Sequence, residues 1–279
     1  MIKTVITVGG KGTRLLPITK TIPKEMLPIF SRSTNNERIV TPLLNLIFEQ
    51  LYNLKIRDYC FITNKEKKTI QEHFTINKSF LYELKKDQKK IILEFYKKVN
   101  NSNLNWINQK KPLGFGNAVL KAEKFVRNEN FILHAGDAVI TGSKIHPISR
   151  LINTAKKNND VSAILLCKKI TDPKRYGVPT IKKFSESIFE VIEVEEKPIN
   201  PKSKLGILPM YFFKPNIFDC LKKIKPGKNN EYQLTDAIQM LLEQNHKVLA
   251  ITLENNEKEI DVGTVESYRE SLTLTYKYS

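Results

Sequence analysis

Short apolar runs that end in glycine turns and alternate with amphipathic stretches narrow the choice of fold more than any other feature. Residues 2–8 (IKTVITV) form a β-branched run closed by Gly9 and Gly10, which reads as a buried strand. Residues 40–55 carry apolar positions at helical spacing, and DYCFIT (58–63) reads as the next strand. A helix follows around 65–73, and 80–99 is helical over much of its length. A strand at 104–109, a helix at 116–126 and a buried strand at 130–136 continue the rhythm. Such alternation predicts an α/β fold: a Rossmann-like, doubly wound, mostly parallel sheet.

Past residue 140 the rhythm changes. Residues 161–167, 177–181, 188–196 and 205–213 are strand-like with fewer helices between them, which predicts more sheet and a smaller antiparallel lobe. Helices return at 215–224, 233–244 and 264–272. With no repeat, no low-complexity tract and no Gly/Ser linker, residues 1–279 read as a single domain with two lobes.

The net charge of +17 comes from 46 Lys and Arg against 29 Asp and Glu. Lysines cluster at 64–69, 85–90 and 222–224, without interleaved aromatics on a nucleic-acid module. Scattered solvated lysines, with extra positive charge where anionic substrates dock, account for them better than a nucleic-acid partner. The three cysteines are far apart and form no C-x-x-C pair, which argues against a disulfide framework or zinc site and for a reducing, cytoplasmic setting. No run approaches the ~18 apolar residues of a membrane helix, so no membrane is expected, and the start is too quickly broken by glycine to read as a signal peptide.

The stretch VGGKGTRLLPITKTIPKEMLP (8–28) carries the chemistry. Gly9 and Gly10 let the backbone approach a ligand, and the amides around Gly10, Lys11 and Gly12 suit an anion nest. Arg14 and Lys24 add fixed positive charge. Pro23 and Pro28 are expected to hold KEML extended, with Lys24 pointing one way. Neither the Walker spacing nor G-x-G-x-x-G is present. Elsewhere Asp137 follows a predicted buried strand, where it can cap a turn or hold a ligand. Asp261 likewise sits between an apolar residue and Val262-Gly263, and spacing alone cannot pair it with Asp137. Glu196 and Lys197 end an alternating strand and could equally mark a solvated edge. Glu231, Gln233 and Asp236 suit a helix start. The four histidines show no metal spacing; His134 and Trp106 read as core.

The full string from Gly10 to Pro28, G-x-G-T-R-x-x-P-x-T-x-x-x-P-K-E-x-L-P, resembles the signature of the sugar nucleotidylyltransferases, most closely their prokaryotic uridylyltransferase branch. NQKKPLGFGNAV (108–119), ILHAGDAVI (132–140), RYGVPTI (175–181), VEEKP (194–198), NEYQLTDAI (230–238) and EIDVGTVESY (259–268) continue the resemblance in order, across about residues 2–272. The resemblance implies the nucleotide-diphospho-sugar transferase fold, with a nucleotide-binding part at about 1–140 and a sugar-binding part at about 141–279. It implies UTP and a sugar 1-phosphate, by default glucose 1-phosphate, as substrates, with a dTTP-dependent thymidylyltransferase or a non-catalytic nucleotide-sugar-binding regulatory relative as the alternatives, and a homo-oligomer, a dimer or tetramer. Gly9, Gly10, Lys11, Gly12 and Thr13 would bind the nucleotide, with Gln109 and Gly114 on the base. Arg14 and Lys24 would be catalytic. Asp137 and Asp261 would share Mg²⁺. Gly177, Glu196 and Lys197 would hold the sugar phosphate.

This chain also departs from the pattern. Val8 replaces the usual alanine and is placed to crowd the base pocket. Ala138 stands where a second aspartate is usual, and Pro209 where uridylyltransferases tend to have glycine. Residues 30–40 form a longer polar connection, expected to be a surface loop.

Overall fold

Neighbouring residues of the first strand, β1 (Lys3–Thr7), are both out of water: Val5 joins one buried cluster and Ile6 another. A strand's side chains alternate, so it buries consecutive ones only when both of its faces are covered. The structure, a computed structural model, describes residues 2–33, 35–185 and 187–279. In chain order the following strands are β2 (Pro28–Arg32), β3 (Arg38–Pro42), β4 (Asp58–Thr63), β5 (Asn103–Asn108), β6 (Phe131–Ala135) and β7 (Ala138–Thr141). Then come β8 (Val161–Lys169), β9 (Gly177–Lys183), β10 (Ile188–Glu196), β11 (Leu205–Phe213), β12 (Lys247–Thr252) and β13 (Lys258–Asp261).

Nine of these build one sheet in the order β5-β4-β1-β6-β11-β8-β12-β10-β9. The first four run parallel, β11 lies antiparallel between β6 and β8, and β12 is parallel to β8. The far edge, β10 and β9, is antiparallel with a bulge between Val191 and Glu193. This is the mostly parallel, doubly wound sheet with an antiparallel section that the alternation predicts. Tyr59 and Phe61 of β4 face the helix Leu43–Asn53, whose Phe48 lies 5.1 Å from Tyr59 between ring centroids. Cys60 and Ile62 face the opposite way, into a cluster with Val119, Phe218 and Leu241. Trp106 stacks on Phe61 at 4.4 Å, against the core as expected.

Three local expectations need correction. The helical stretch 80–99 is two helices, Lys78–Glu83 and Lys86–Asn100. Lys85 between them is extended and its amide donates to Gln88 Oε1 at 3.0 Å, a cap that starts a new helix. The helix at 116–126 is likewise split, into Phe115–Leu120 and Glu123–Val126. The polar connection at 30–40 is largely the hairpin β2–β3; its Thr34 lies outside the described residues. The hairpin has a partner to pack on, the last helix Val265–Tyr278: Phe30 meets Tyr276 edge-on at 5.1 Å, and the Arg38 guanidinium lies 3.9 Å from the same ring. Among the described residues no helix is long and apolar enough to cross a membrane.

Candidate active site

The loop after β1 is pinned at several points. The Val8 amide donates to Ile62 O at 2.8 Å, Asn64 Nδ2 donates to Gly9 O at 2.9 Å, and Thr19 Oγ1 donates to Gly12 O at 2.8 Å. Val8 itself is fully buried in the core and does not line the cleft, so it does not crowd a base pocket. Thr13–Leu15 turns as a short 3-10 segment, with Arg14 exposed on the cleft.

KEML is not extended. Lys24–Met26 is another 3-10 turn, closed by Met26 N to Pro23 O at 2.8 Å and Leu27 N to Lys24 O at 3.1 Å. Proline lacks an N–H, but its carbonyl still accepts, and Pro23 enters with φ −53°. The turn sends Lys24 into the cleft and Glu25 into the interior, where Lys67 Nζ meets both carboxylate oxygens at 2.8 and 2.7 Å.

Sheet register brings together the two aspartates that spacing could not pair. Asp137 follows β6, and β7 starts at the next residue; β13 runs antiparallel to β7 with Asp261 opposite Ala138, and the Val262 amide donates to Asp137 O at 3.1 Å. Lys24 Nζ makes an ion pair with Asp137 Oδ2. Burial opposes a charge on either side chain, but the pairing outweighs it: Asp137 is held below the usual carboxylate range and Lys24 above its ordinary value. Asp261 shifts the other way. Burial and then the like charge of Asp137 push it up, with Ser267 and the Gly263 amide opposing.

Gln109 and Gly114 line one end of the cleft. Gln109 is 4% exposed and donates from Nε2 to Asn117 Oδ1 at 3.0 Å. Gly114 has φ +112°, and a Cβ there would stand 2.7 Å from the Tyr232 carbonyl oxygen, so only glycine fits. On the far wall a Cβ at Gly177 would lie 2.5 Å from Thr235 Cγ2 and 3.4 Å from Glu196 Oε2. Lys197 Nζ pairs with Glu196 Oε1 at 3.1 Å, and its amide donates to Tyr176 O at 2.9 Å.

One cleft of about 750 Å³ is lined by Gly9, Gly10, Lys11, Gly12, Thr13, Arg14, Lys24, Gln109, Gly114, Asp137, Gly177, Glu196, Lys197 and Asp261 together. Arg175, Tyr176, Pro209, Glu231 and Gln233 also line it, whereas Asp236 does not. His134 is buried; burial lowers its pKa to about 4 and its Nδ1 lies 2.6 Å from Ala135 O, a core histidine as expected.

Sequence reasoning missed several groups here. Thr235 Oγ1 donates to Glu196 Oε2 at 3.0 Å, and Lys228 Nζ donates to the carbonyls of Glu196 and Lys197 at 2.7 and 2.6 Å. Glu259 lines the cleft and pairs with Lys168. Burial raises Glu259 despite that partner. A period-two reading of EID would have placed Glu259 on the same face as Asp261; Lys67 and Lys228 left no comparable mark.

The nucleotidyl transferase family model matches residues 3–277. A UTP–glucose-1-phosphate uridylyltransferase of Streptococcus pneumoniae serotype 4 is 35% identical over 245 residues, 86% of this chain and 79% of that protein. One from Streptococcus pyogenes is 34% identical over 267 residues, 94% and 84% of the two chains. Among solved structures, a UDP-glucose pyrophosphorylase complexed with UDP-glucose superposes with a TM-score of 0.86 and 27% identity over the whole of both chains.

Proposed function

Because the chain belongs to the nucleotidyl transferase family, we propose that it transfers UMP from UTP to glucose 1-phosphate, releasing pyrophosphate and UDP-glucose. The observation that carries this reading is the β7–β13 register, which sets Asp137 beside Asp261 in the same cleft as the glycine loop and Lys24. The substrates follow from the relatives, named for UTP and glucose 1-phosphate, and from the structural neighbour that holds UDP-glucose.

In this reading an oxygen of the sugar 1-phosphate attacks the α-phosphorus of UTP in line with the departing pyrophosphate. That phosphate is already ionised at neutral pH, so no general base is needed, and positioning and charge do the catalysis. Gly9 to Thr13 hold the triphosphate and Arg14 steadies the leaving pyrophosphate. Gln109 and Gly114 fix the base, while Gly177 and Glu196 meet the sugar. Lys24 and Lys197 offset the repulsion between two anionic substrates.

Asp137 and Asp261 fit a divalent cation, Mg²⁺ in this reading. Two carboxylates completed by phosphate oxygens are a donor set that such a hard ion accepts, and the Lys24 ammonium on Asp137 already marks a position that favours positive charge. When bound, the ion supplies positive charge to the phosphates. Ala138, which faces Asp261 across the strand pair, offers no oxygen, so these two aspartates carry that role.

Pyrophosphate release with Mg²⁺ tests the function, crossing UTP, dTTP, ATP and GTP against glucose-, galactose- and N-acetylglucosamine-1-phosphate. Release confined to UTP with glucose 1-phosphate is expected. Release with dTTP instead would move the assignment to thymidylyl transfer, and none with any pair would defeat it.

A further inference from the structure

The turn after β4 touches the nucleotide loop at both ends. Asn64 holds the Gly9 carbonyl at 2.9 Å, and three residues on Lys67 grips Glu25 with two contacts of 2.8 and 2.7 Å. Glu25 is 1% exposed and Lys67 6%. Taking two charges out of water costs several kcal/mol per ion, and apolar residues of similar volume often stabilise a fold as well or better. Stability is therefore a weak reason for this pair, and its position supplies a better one. Glu25 follows Lys24 in a 3-10 turn, where successive side chains stand about 120° apart. With Glu25 fixed on the interior side, the turn cannot roll, and Lys24 is aimed across the cleft at Asp137. The charges alternate along this line: Lys67, Glu25, Lys24, Asp137.

We propose that Lys67 and Glu25 are positioning residues for nucleotidyl transfer, forming with Asn64 a brace that holds Lys24 and Gly9 where the phosphates need them. The proposal rests on the function given above. It predicts that losing the brace lowers kcat and nucleotide binding while KM for the sugar phosphate stays put.

The test compares the wild type with three variants in pyrophosphate release and in the rise of Tm on adding UTP, or whichever nucleotide raises the wild-type Tm. A wild type silent in the release assay counts against the function itself; the brace is read from the variants relative to the wild type. Lys67→Met strands the Glu25 charge and loses Tm and activity together. The discriminating variant is Glu25→Leu with Lys67→Met, which restores neutrality with apolar side chains of similar volume. Its Tm is expected near that of the wild type, with kcat still down about tenfold or more and the nucleotide-induced Tm rise reduced, since misplacement of about 1 Å can cost 10²-fold. Recovery of kcat along with Tm would make the pair merely structural and overturn the proposal. Lys67→Arg, which keeps charge and two-pronged geometry, is expected to retain kcat within about threefold. A folded Lys67→Arg as inactive as Lys67→Met would overturn the proposal too, and this arm decides if the double variant fails to fold.

Discussion

Replacing Lys24 by methionine keeps the apolar stem and removes the ammonium. In the ligand-free protein that leaves Asp137 without its cation, in a site where the two side chains are only 15% and 22% exposed. Breaking a fully buried pair costs about 3–5 kcal/mol, and an exposed pair contributes about 0–1 kcal/mol. With this partial burial the expected loss is about 1–3 kcal/mol. For a chain of this size each kcal/mol moves Tm by roughly 2–4 °C, so the variant should melt about 2–12 °C lower by scanning calorimetry without ligands. Millimolar Mg²⁺ should restore part of this loss in the variant and do less for the wild type, because in the variant the cation no longer competes with Lys24. Turnover in the pyrophosphate assay should fall about 10²-fold, the scale of one lost charge-stabilising contact. An unchanged Tm together with turnover within threefold of wild type would refute this account of Lys24. A lower Tm with normal turnover would reduce it to a structural pair.

Two further outcomes follow from the same geometry. Asp261 is held above its ordinary pKa by burial and Asp137, so its stability contribution is present only while it is protonated and is lost as pH rises. Asp261→Asn should therefore raise Tm at pH 7 and abolish most turnover, and its gain in Tm should shrink as pH falls towards the ordinary aspartate range near about 4; a Tm gain that is constant with pH would contradict the assignment. Gly177→Ala places a methyl 2.5 Å from Thr235 Cγ2 and 3.4 Å from Glu196 Oε2, and should raise KM for the sugar phosphate about tenfold with KM for UTP unchanged; initial-rate kinetics varying each substrate in turn would expose an equal rise in both.

What the sequence disclosed and what it hid divide along physical lines. In the parallel half β1, β4 and β6 were legible as apolar runs, because burial on both faces leaves that signature, while β5 showed instead as an alternation of polar and apolar residues. Strands β7, β12 and β13 were harder: β7 and β13 have four residues each, too few for periodicity to register. The KEML turn was misread because two flanking prolines suggest extension, while the closing bond uses the Pro23 carbonyl, which no composition reveals. The residues of the loop after β1 could be nominated from glycines and cations in one short stretch. The neighbourhood of Asp137 and Asp261 could not, since a strand register far along the chain creates it.

Local charge balance was equally hidden. The chain is +17 overall, which suggests an excess of positive charge everywhere. In the cleft the reverse holds at the point that matters. Lys24 is matched to Asp137, Lys168 to Glu259 and Lys197 to Glu196, each lysine already committed to a carboxylate. Asp261 has a like-charged neighbour, opposed chiefly by Ser267 and the Gly263 amide, with only a weaker pull from Lys24, and its pKa rises accordingly. A carboxylate that burial and a like charge push towards its protonated form gains most from an arriving cation, which favours the ionised form. Lys24 already balances Asp137, so Asp261 is the carboxylate left without a close cation, and a phosphate-bound divalent ion would supply that charge together with the substrate.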